Sequence, residues 1–469
     1  MRMLRSYRML AALLIVICAG SGAWGGDASL APTPPMGWNS WDSYGQTITE
    51  PQFKANADWM AKHLKKFGWQ YMVIDEGWYV QNLGSDPKDF KFQLTDDGRF
   101  VPVVMRFPSA VGGAGFKPLA DYVHSLGLKF GLHIIRGIPR DAVARNLPIA
   151  DSSFHAPDAA DQSDACPWNA YNWGVKANEA GQAYYHSIVK LYASWGVDFI
   201  KADCIADHPY KPDEIRMLAN AIKKSGRRMV LSLSPGPTAL DHADEVAKYA
   251  EMWRISDDFW DHWGPWEKHE WSQGLYQQFA TAAKWAPHSK PGGWPDADML
   301  SLGHLGPHPG EGEVRQTGFS KDEQCTMMTL WAIFRSPLMM GGDLLSMDEW
   351  TTSLLTNTEV IGVNQHSREN HAVITTEKTA IWLGRRWDWD PNTQYEIDEK
   401  HAPRDSCYLA VFNIGDSEQT IHYEWKDLKL PGANYKLRDL WEHKSLGSAQ
   451  SLTVKLRPHA SALYKAESK

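Results

Sequence analysis

The residues best suited to chemistry in this sequence are acids that close short apolar runs. Lys201-Ala202-Asp203 follows Val197-Asp198-Phe199-Ile200, and side chains two apart on a strand share a face. A lysine ammonium beside a carboxylate favours the ionised form that a nucleophile needs. The same spacing also suits a structural ion pair at a strand end. Trp253-Arg254-Ile255-Ser256-Asp257-Asp258-Phe259-Trp260 sets two acids side by side among aromatics. Like charge and apolar surroundings both raise a carboxyl pKa, so one of this pair is expected to hold a proton near neutrality. A helix start capped by Ser256 or Asp257 is the other use of this stretch. An ionised acid facing a protonated one is the pairing that glycoside hydrolysis requires. Asp75-Glu76, Asp296 and Asp298 end further apolar stretches, and acids at such places are costly unless paired or used.

Elements that would position these groups alternate between residues 38 and 343. Strands are expected at residues 71–75, 129–134, 199–203, 229–234, 251–254 and 336–340, with amphipathic helices at 53–67, 119–126, 181–195 and 215–224. Such alternation implies a parallel sheet with crossover helices. About eight units in this length fit an α/β fold of the closed (β/α)8 TIM-barrel type better than an open doubly wound sheet. Barrel chemistry sits at the C-terminal ends of the strands, where these acids fall. After residue 356 the texture becomes short, β-rich and interrupted by Gly, Pro and Asp, the pattern of an antiparallel β-sandwich. The expected domains are residues 27–355 and 356–469.

Composition is that of an ordinary soluble globular protein, and no cofactor is expected. Of 469 residues, 43% are hydrophobic and 22% charged, which argues against disorder. The 23 Trp residues serve core packing or sugar stacking. Residues 1–26 carry Arg2, Arg5 and Arg8 ahead of a short apolar run and small residues, the pattern of a signal peptide. Export would make the protein secreted or periplasmic. Cys18 is a weaker candidate for lipid attachment. Without that segment the 48 basic residues become 45 against 56 acidic ones, a balance of −11, which argues against nucleic acid and anionic membrane as partners. There is no CxxC or HxH pair, and His133, His208 and His304 are scattered, so no metal site is expected.

Taken in order, several segments resemble glycoside hydrolase family 27, the melibiase-type exo-glycosidases. They are Thr33-Pro34-Pro35-Met36-Gly37-Trp38-Asn39-Ser40-Trp41, Tyr71-Met72-Val73-Ile74-Asp75, Gly127-Leu128-Lys129-Phe130-Gly131, the stretch from Trp195 to Asp203, Trp253-Arg254, Trp294-Pro295-Asp296-Ala297-Asp298 and Ser336-Pro337-Leu338-Met339-Met340. The tail joins in with Arg438-Asp439-Leu440-Trp441 and Leu456-Arg457-Pro458-His459. The resemblance implies a retaining mechanism on terminal α-D-galactosyl residues, with Asp203 as nucleophile and Asp258, four residues after the arginine, as acid/base. It also implies that Trp41 packs on the sugar, that Asp75, Lys201 and Arg254 bind its hydroxyls, and that Cys166 bonds to Cys204. A sugar-binding barrel without catalysis is the alternative from another class, but it would be expected to lack one of the two acids.

Departures from the family pattern bear on the sugar. Glu76 stands where the galactosidases carry Asp, beside the C6 hydroxymethyl group. β-L-Arabinopyranose is α-D-galactose without that group, so Glu76 points to an arabinopyranosidase or a dual enzyme as the alternative activity. Ser232-Leu233-Ser234-Pro235-Gly236 replaces a segment that ends in Glu-Trp, which removes a contact near the sugar 2-position. His133 replaces a Tyr, and Arg136 to Arg140 form a basic stretch that either lines the leaving-group side or is a surface turn.

Overall fold

The computed structural model describes residues 28–265, 272–386 and 406–468; the expected signal peptide and Cys18 lie outside them. Eight short strands carry the first domain: β1 Met36–Asn39, β2 Tyr71–Ile74, β3 Lys129–Ile135, β4 Phe199–Asp203, β5 Val230–Leu233, β6 Met252–Arg254, β7 Trp294–Asp296 and β8 Leu338–Met340. All pair in parallel in the order β7-β6-β5-β4-β3-β2-β1-β8. The ring closes where Leu300, just after β7, bridges to Met340 and donates its N–H to the Met339 carbonyl at 2.7 Å. This is the TIM barrel expected from the alternation. The strands are almost wholly buried, as a parallel sheet covered on its outer face requires.

Crossover helices start where the sequence provides caps. Thr49 and Gln52 form a capping box at Glu50–His63, with Pro51 in its first turn, which satisfies otherwise orphaned N–H groups. Asn178 caps Glu179–Trp195 through its side chain, and Gly196 ends that helix in the left-handed region. Lys321–Phe334 is buried along nearly its whole length beyond the first turn, because it lies between the barrel and the following domain. Trp441 donates to Thr329 Oγ1 at 2.9 Å, and Thr326 donates to the His459 carbonyl at 2.6 Å.

After a last helix at Thr358–Gln365, the antiparallel domain follows with β9 Ser367–Thr375, β10 Thr379–Arg386, β11 Ser406–Asn413, β12 Gln419–Glu424, β13 Tyr435–Asp439, β14 Lys444–Ala449, β15 Ser451–Leu456 and β16 Ser461–Ser468. Six strands form one sheet in the order β9-β10-β11-β16-β13-β14, and β12 pairs with β15 in a separate ribbon. Alternation divides β10 and β11 between two cores. Ala380, Trp382, Ala410 and Phe412 join the barrel core, whereas Ile381, Leu383, Leu409 and Val411 face the domain's own core. The domain packs against the barrel through this shared core.

One feature between β3 and β4 was not expected. Residues 138–175 break the strand–helix alternation with a small antiparallel sheet of Ile138–Pro139, Ala160–Cys166 and Asn169–Val175. Among the described residues no helix is long and apolar enough to cross a membrane.

Candidate active site

Every strand-end group singled out above lies at the same end of the barrel. Trp41, Asp75, Glu76, Lys201, Asp203, Arg254 and Asp258 line one cleft of about 930 Å3, joined by Asp42, Trp168, Ser234, Trp260 and Asp298. The strands deliver them because each acid ends or follows a buried strand, so its carboxyl emerges where the loops begin.

Asp203 is the more enclosed of the two principal acids. Its Oδ2 lies 3.2 Å from His133 Nε2, its Oδ1 accepts from Ser234 Oγ at 3.2 Å, and the Cys204 N–H donates to Oδ1 at 2.7 Å. Burial alone would raise its pKa, but the His133 contact, the His133 and Lys201 charges and the Cys204 N–H together bring it below the ordinary carboxylate value. Cys204 has φ +59° and is disulfide-bonded to Cys166, which fixes the turn after the acid. The arrangement corrects one expectation. Lys201 does not pair directly with Asp203; its Nζ donates to Asp75 Oδ2 at 2.8 Å. A shared face places Lys201 beside Asp203, but Asp75, the residue after β2, takes the hydrogen bond.

Asp75 also accepts from Asn39 Nδ2 at 2.7 Å and from the Glu76 N–H at 2.8 Å. Burial opposes its charge, yet Lys201 and His133 hold it well below the usual range. Glu76 receives a hydrogen bond from Asn169 Nδ2 at 2.7 Å. Burial, offset in part by His133 and then reinforced by the charges of Asp203 and Asp75, lifts its pKa to about 7. His133 is raised: burial opposes its protonation, but Asp75 and Asp203 outweigh it.

Asp258 stands differently. Its side chain is 49% exposed at the cleft mouth, and Arg254 Nη2 donates to its Oδ1 at 3.0 Å. The same Arg254 nitrogen lies 2.6 Å from Asp298 Oδ2, and Asp298 also receives the Phe259 N–H at 2.8 Å. Arg254 and Asp298 thus brace both ends of the loop that carries Asp258. The carboxyl of Asp257, next to it in the chain, is raised, chiefly through burial. Asp258 is set apart by its position at the cleft and by its arginine.

Four further groups escaped the sequence reading. His133 was noted as a departure but not as the partner of Asp203. Ser234 was read only as part of a lost contact; in fact it holds the acid. Asp298 was seen as a strand-end acid without a role, although its φ of +85° marks a specially held residue. Asp42 is 1% exposed, accepts from Ser301 Oγ at 2.9 Å, and is pushed by burial and by Asp298 to about 8. The basic stretch fits neither of its expected uses. Arg136 is buried, paired with Asp164 and Glu214, and donates to the Cys204 carbonyl at 2.6 Å, while Arg140 lies over the Trp173 ring at 3.7 Å.

Comparison with known proteins agrees with this geometry. Residues 33–140 and 174–366 match the family described as alpha galactosidase A, and residues 395–466 match its C-terminal beta sandwich domain. An alpha-galactosidase from Oryza sativa subsp. japonica is 27% identical over 93% of this chain and 85% of its own length. Human alpha-galactosidase A is 27% identical over 84% of this chain and 81% of its own length. The structure of a family 27 β-L-arabinopyranosidase from Geobacillus stearothermophilus superposes with a TM-score of 0.85 at 44% identity, covering 94% of this chain and 97% of that one. Barrel, trailing β domain and acid-lined cleft define a glycoside hydrolase. Within that class the chain belongs to glycoside hydrolase family 27.

Proposed function

We propose that the protein is a retaining exo-glycosidase whose pocket takes terminal β-L-arabinopyranosyl and α-D-galactosyl residues, the former preferentially. Asp203 attacks the anomeric carbon as Asp258 gives its proton to the departing oxygen. Asp258 then takes a proton from water, which cleaves the glycosyl ester and restores both groups. The enclosed, ionised state of Asp203 supports its part as nucleophile. The mouth position of Asp258 supports its part as acid/base, since leaving group and water both pass there. Asp75, Lys201 and Arg254 form the polar base that would bind the sugar hydroxyls, and Trp41 would pack on the ring.

Glu76 carries the choice of sugar. It is one methylene longer than the Asp of the galactosidases, and Asn169 holds its carboxyl so that it does not swing aside. A C6 hydroxymethyl group would meet this wall, whereas a pentopyranose leaves it room. Such a one-carbon difference is worth roughly 1–3 kcal/mol, a preference rather than an exclusion. The relative at 44% identity is an arabinopyranosidase, and a variant of it was solved with arabinose. The galactoside activity is favoured by the many alpha-galactosidase relatives. Steady-state rates on nitrophenyl β-L-arabinopyranoside and nitrophenyl α-D-galactoside test the proposal: both are cleaved and the arabinoside has the higher kcat/KM. A faster galactoside would overturn the preference.

A further inference from the structure

The largest indoles of this protein are packed away: Trp38, Trp69, Trp78, Trp253, Trp294, Trp331 and Trp382 are fully buried. Trp168 is 50% exposed and, among the described residues, is the one Trp with a large exposed surface. It nevertheless borders the cleft. Its exposure is imposed by its neighbours on both sides. Cys166 is bonded to Cys204, the residue after Asp203, and Asn169 donates to Glu76 at 2.7 Å and accepts the Tyr171 N–H at 3.0 Å. Between these anchors Pro167 restricts the backbone further. A rigid turn therefore presents an indole to solvent where a free loop would fold it inward.

We propose that Trp168 forms a leaving-group subsite, a platform for the apolar face of a second pyranose ring. Three observations carry this. The buried polar groups Asp75, Lys201 and Arg254 make up the base of the cleft, where the ring to be cleaved must sit to meet Asp203. Trp168 and Asp258 are both about half exposed and both border the cleft, and the oxygen that Asp258 protonates belongs to the leaving group. The turn also lies outside the residues that match the family model, 33–140 and 174–366, within the small antiparallel sheet of residues 138–175. The substrate class is then an oligosaccharide whose terminal sugar is attached to another pyranose, not a simple alkyl glycoside. This inference rests on the glycosidase reading above.

Trp168→Ala and Trp168→Phe, each compared on two substrates with the same terminal sugar, test it. One substrate is a disaccharide; the other is the glycosyl fluoride, whose leaving group has no ring. Loss of the stacking contact is expected to raise KM for the disaccharide and lower its kcat/KM roughly tenfold in the alanine variant, while the fluoride stays within about twofold. Phenylalanine is expected to recover most of the loss. Equal losses on both substrates would mean that Trp168 shapes the first sugar site or the fold, and no loss on either would mean that no second ring is bound there; both overturn the subsite. A wild-type enzyme inert toward the fluoride would instead overturn the glycosidase reading on which the subsite stands.

Discussion

His133 stands between two carboxylates, with its Nε2 3.2 Å from Asp203 Oδ2 and 4.0 Å from Asp75 Oδ1. The imidazole is 1% exposed, so its charge acts on both acids with little screening by water. Asp203 thereby stays ionised inside the barrel although burial works against it.

Removing that imidazole shifts the acid limb of activity. As the proposed nucleophile, Asp203 would work only when ionised, and His133 is the first of the influences that lower its pKa against burial. In His133→Phe the pKa of Asp203 rises, so the acid limb of kcat/KM moves to higher pH. A pH profile on an activated aryl glycoside checks this, and an unmoved limb would show that Lys201 and the Cys204 N–H suffice.

Asp258 shows itself through the leaving group. Asp258→Ala is expected to lose on the order of 10²–10⁴ in rate on substrates whose departing oxygen needs a proton. On a glycosyl fluoride or dinitrophenyl glycoside, which needs little protonation to depart, the first step should lose far less. Equal losses across both kinds of substrate would assign the proton to another group, with Asp257 the nearest.

Shortening Glu76 should move the sugar preference. Glu76→Asp opens room for the C6 hydroxymethyl group, and the galactoside rate should rise relative to the arabinoside rate by roughly tenfold or more. The ratio of the two kcat/KM values is the readout. A constant ratio would place the discrimination elsewhere on the pocket wall.

The buried acids should make the protein less stable as the pH rises. Asp42 sits at about 8 when folded, against the ordinary 3.8. The folded chain therefore holds a proton that the unfolded chain has released, and stability falls between these two values by roughly 1.4 kcal/mol per pH unit. Glu76 and Asp296, both about 7, add to the slope up to neutrality. Asp42→Asn removes one of these titrations, so its melting temperature should gain on the wild type from pH 6 to pH 8. A constant difference across that range would mean that Asp42 is ionised in the folded protein.

Much of this was legible in the sequence because barrels write their site at strand ends. Asp203 was singled out by the apolar run that precedes it, Asp258 was set apart from Asp257 only by the family resemblance, and the alternation of elements pointed to the closed sheet. What stayed hidden is contact across strands. The sequence showed Lys201 on the face of Asp203, but not that Asp75, after another strand, would take its hydrogen bond. Arg136 read as lining the cleft or as part of a surface turn because its partners Asp164 and Glu214 are far along the chain, and a buried charge is recognisable only beside its counterions. β7, Trp294-Pro295-Asp296, was marked only by the acids at its end, because three residues with a proline among them carry no strand pattern of their own. The small antiparallel sheet, and with it Trp168, was invisible because its polar strands carry no clear alternation.

The assignment of Asp203 is tested most directly by trapping the covalent intermediate. A 2-deoxy-2-fluoro glycoside with a good leaving group forms the glycosyl ester quickly and hydrolyses it slowly. Digestion and mass spectrometry should then find the sugar on the peptide containing Asp203, joined through its carboxylate. A label on any other residue, or an unlabelled enzyme that releases product of inverted configuration, would contradict the double displacement.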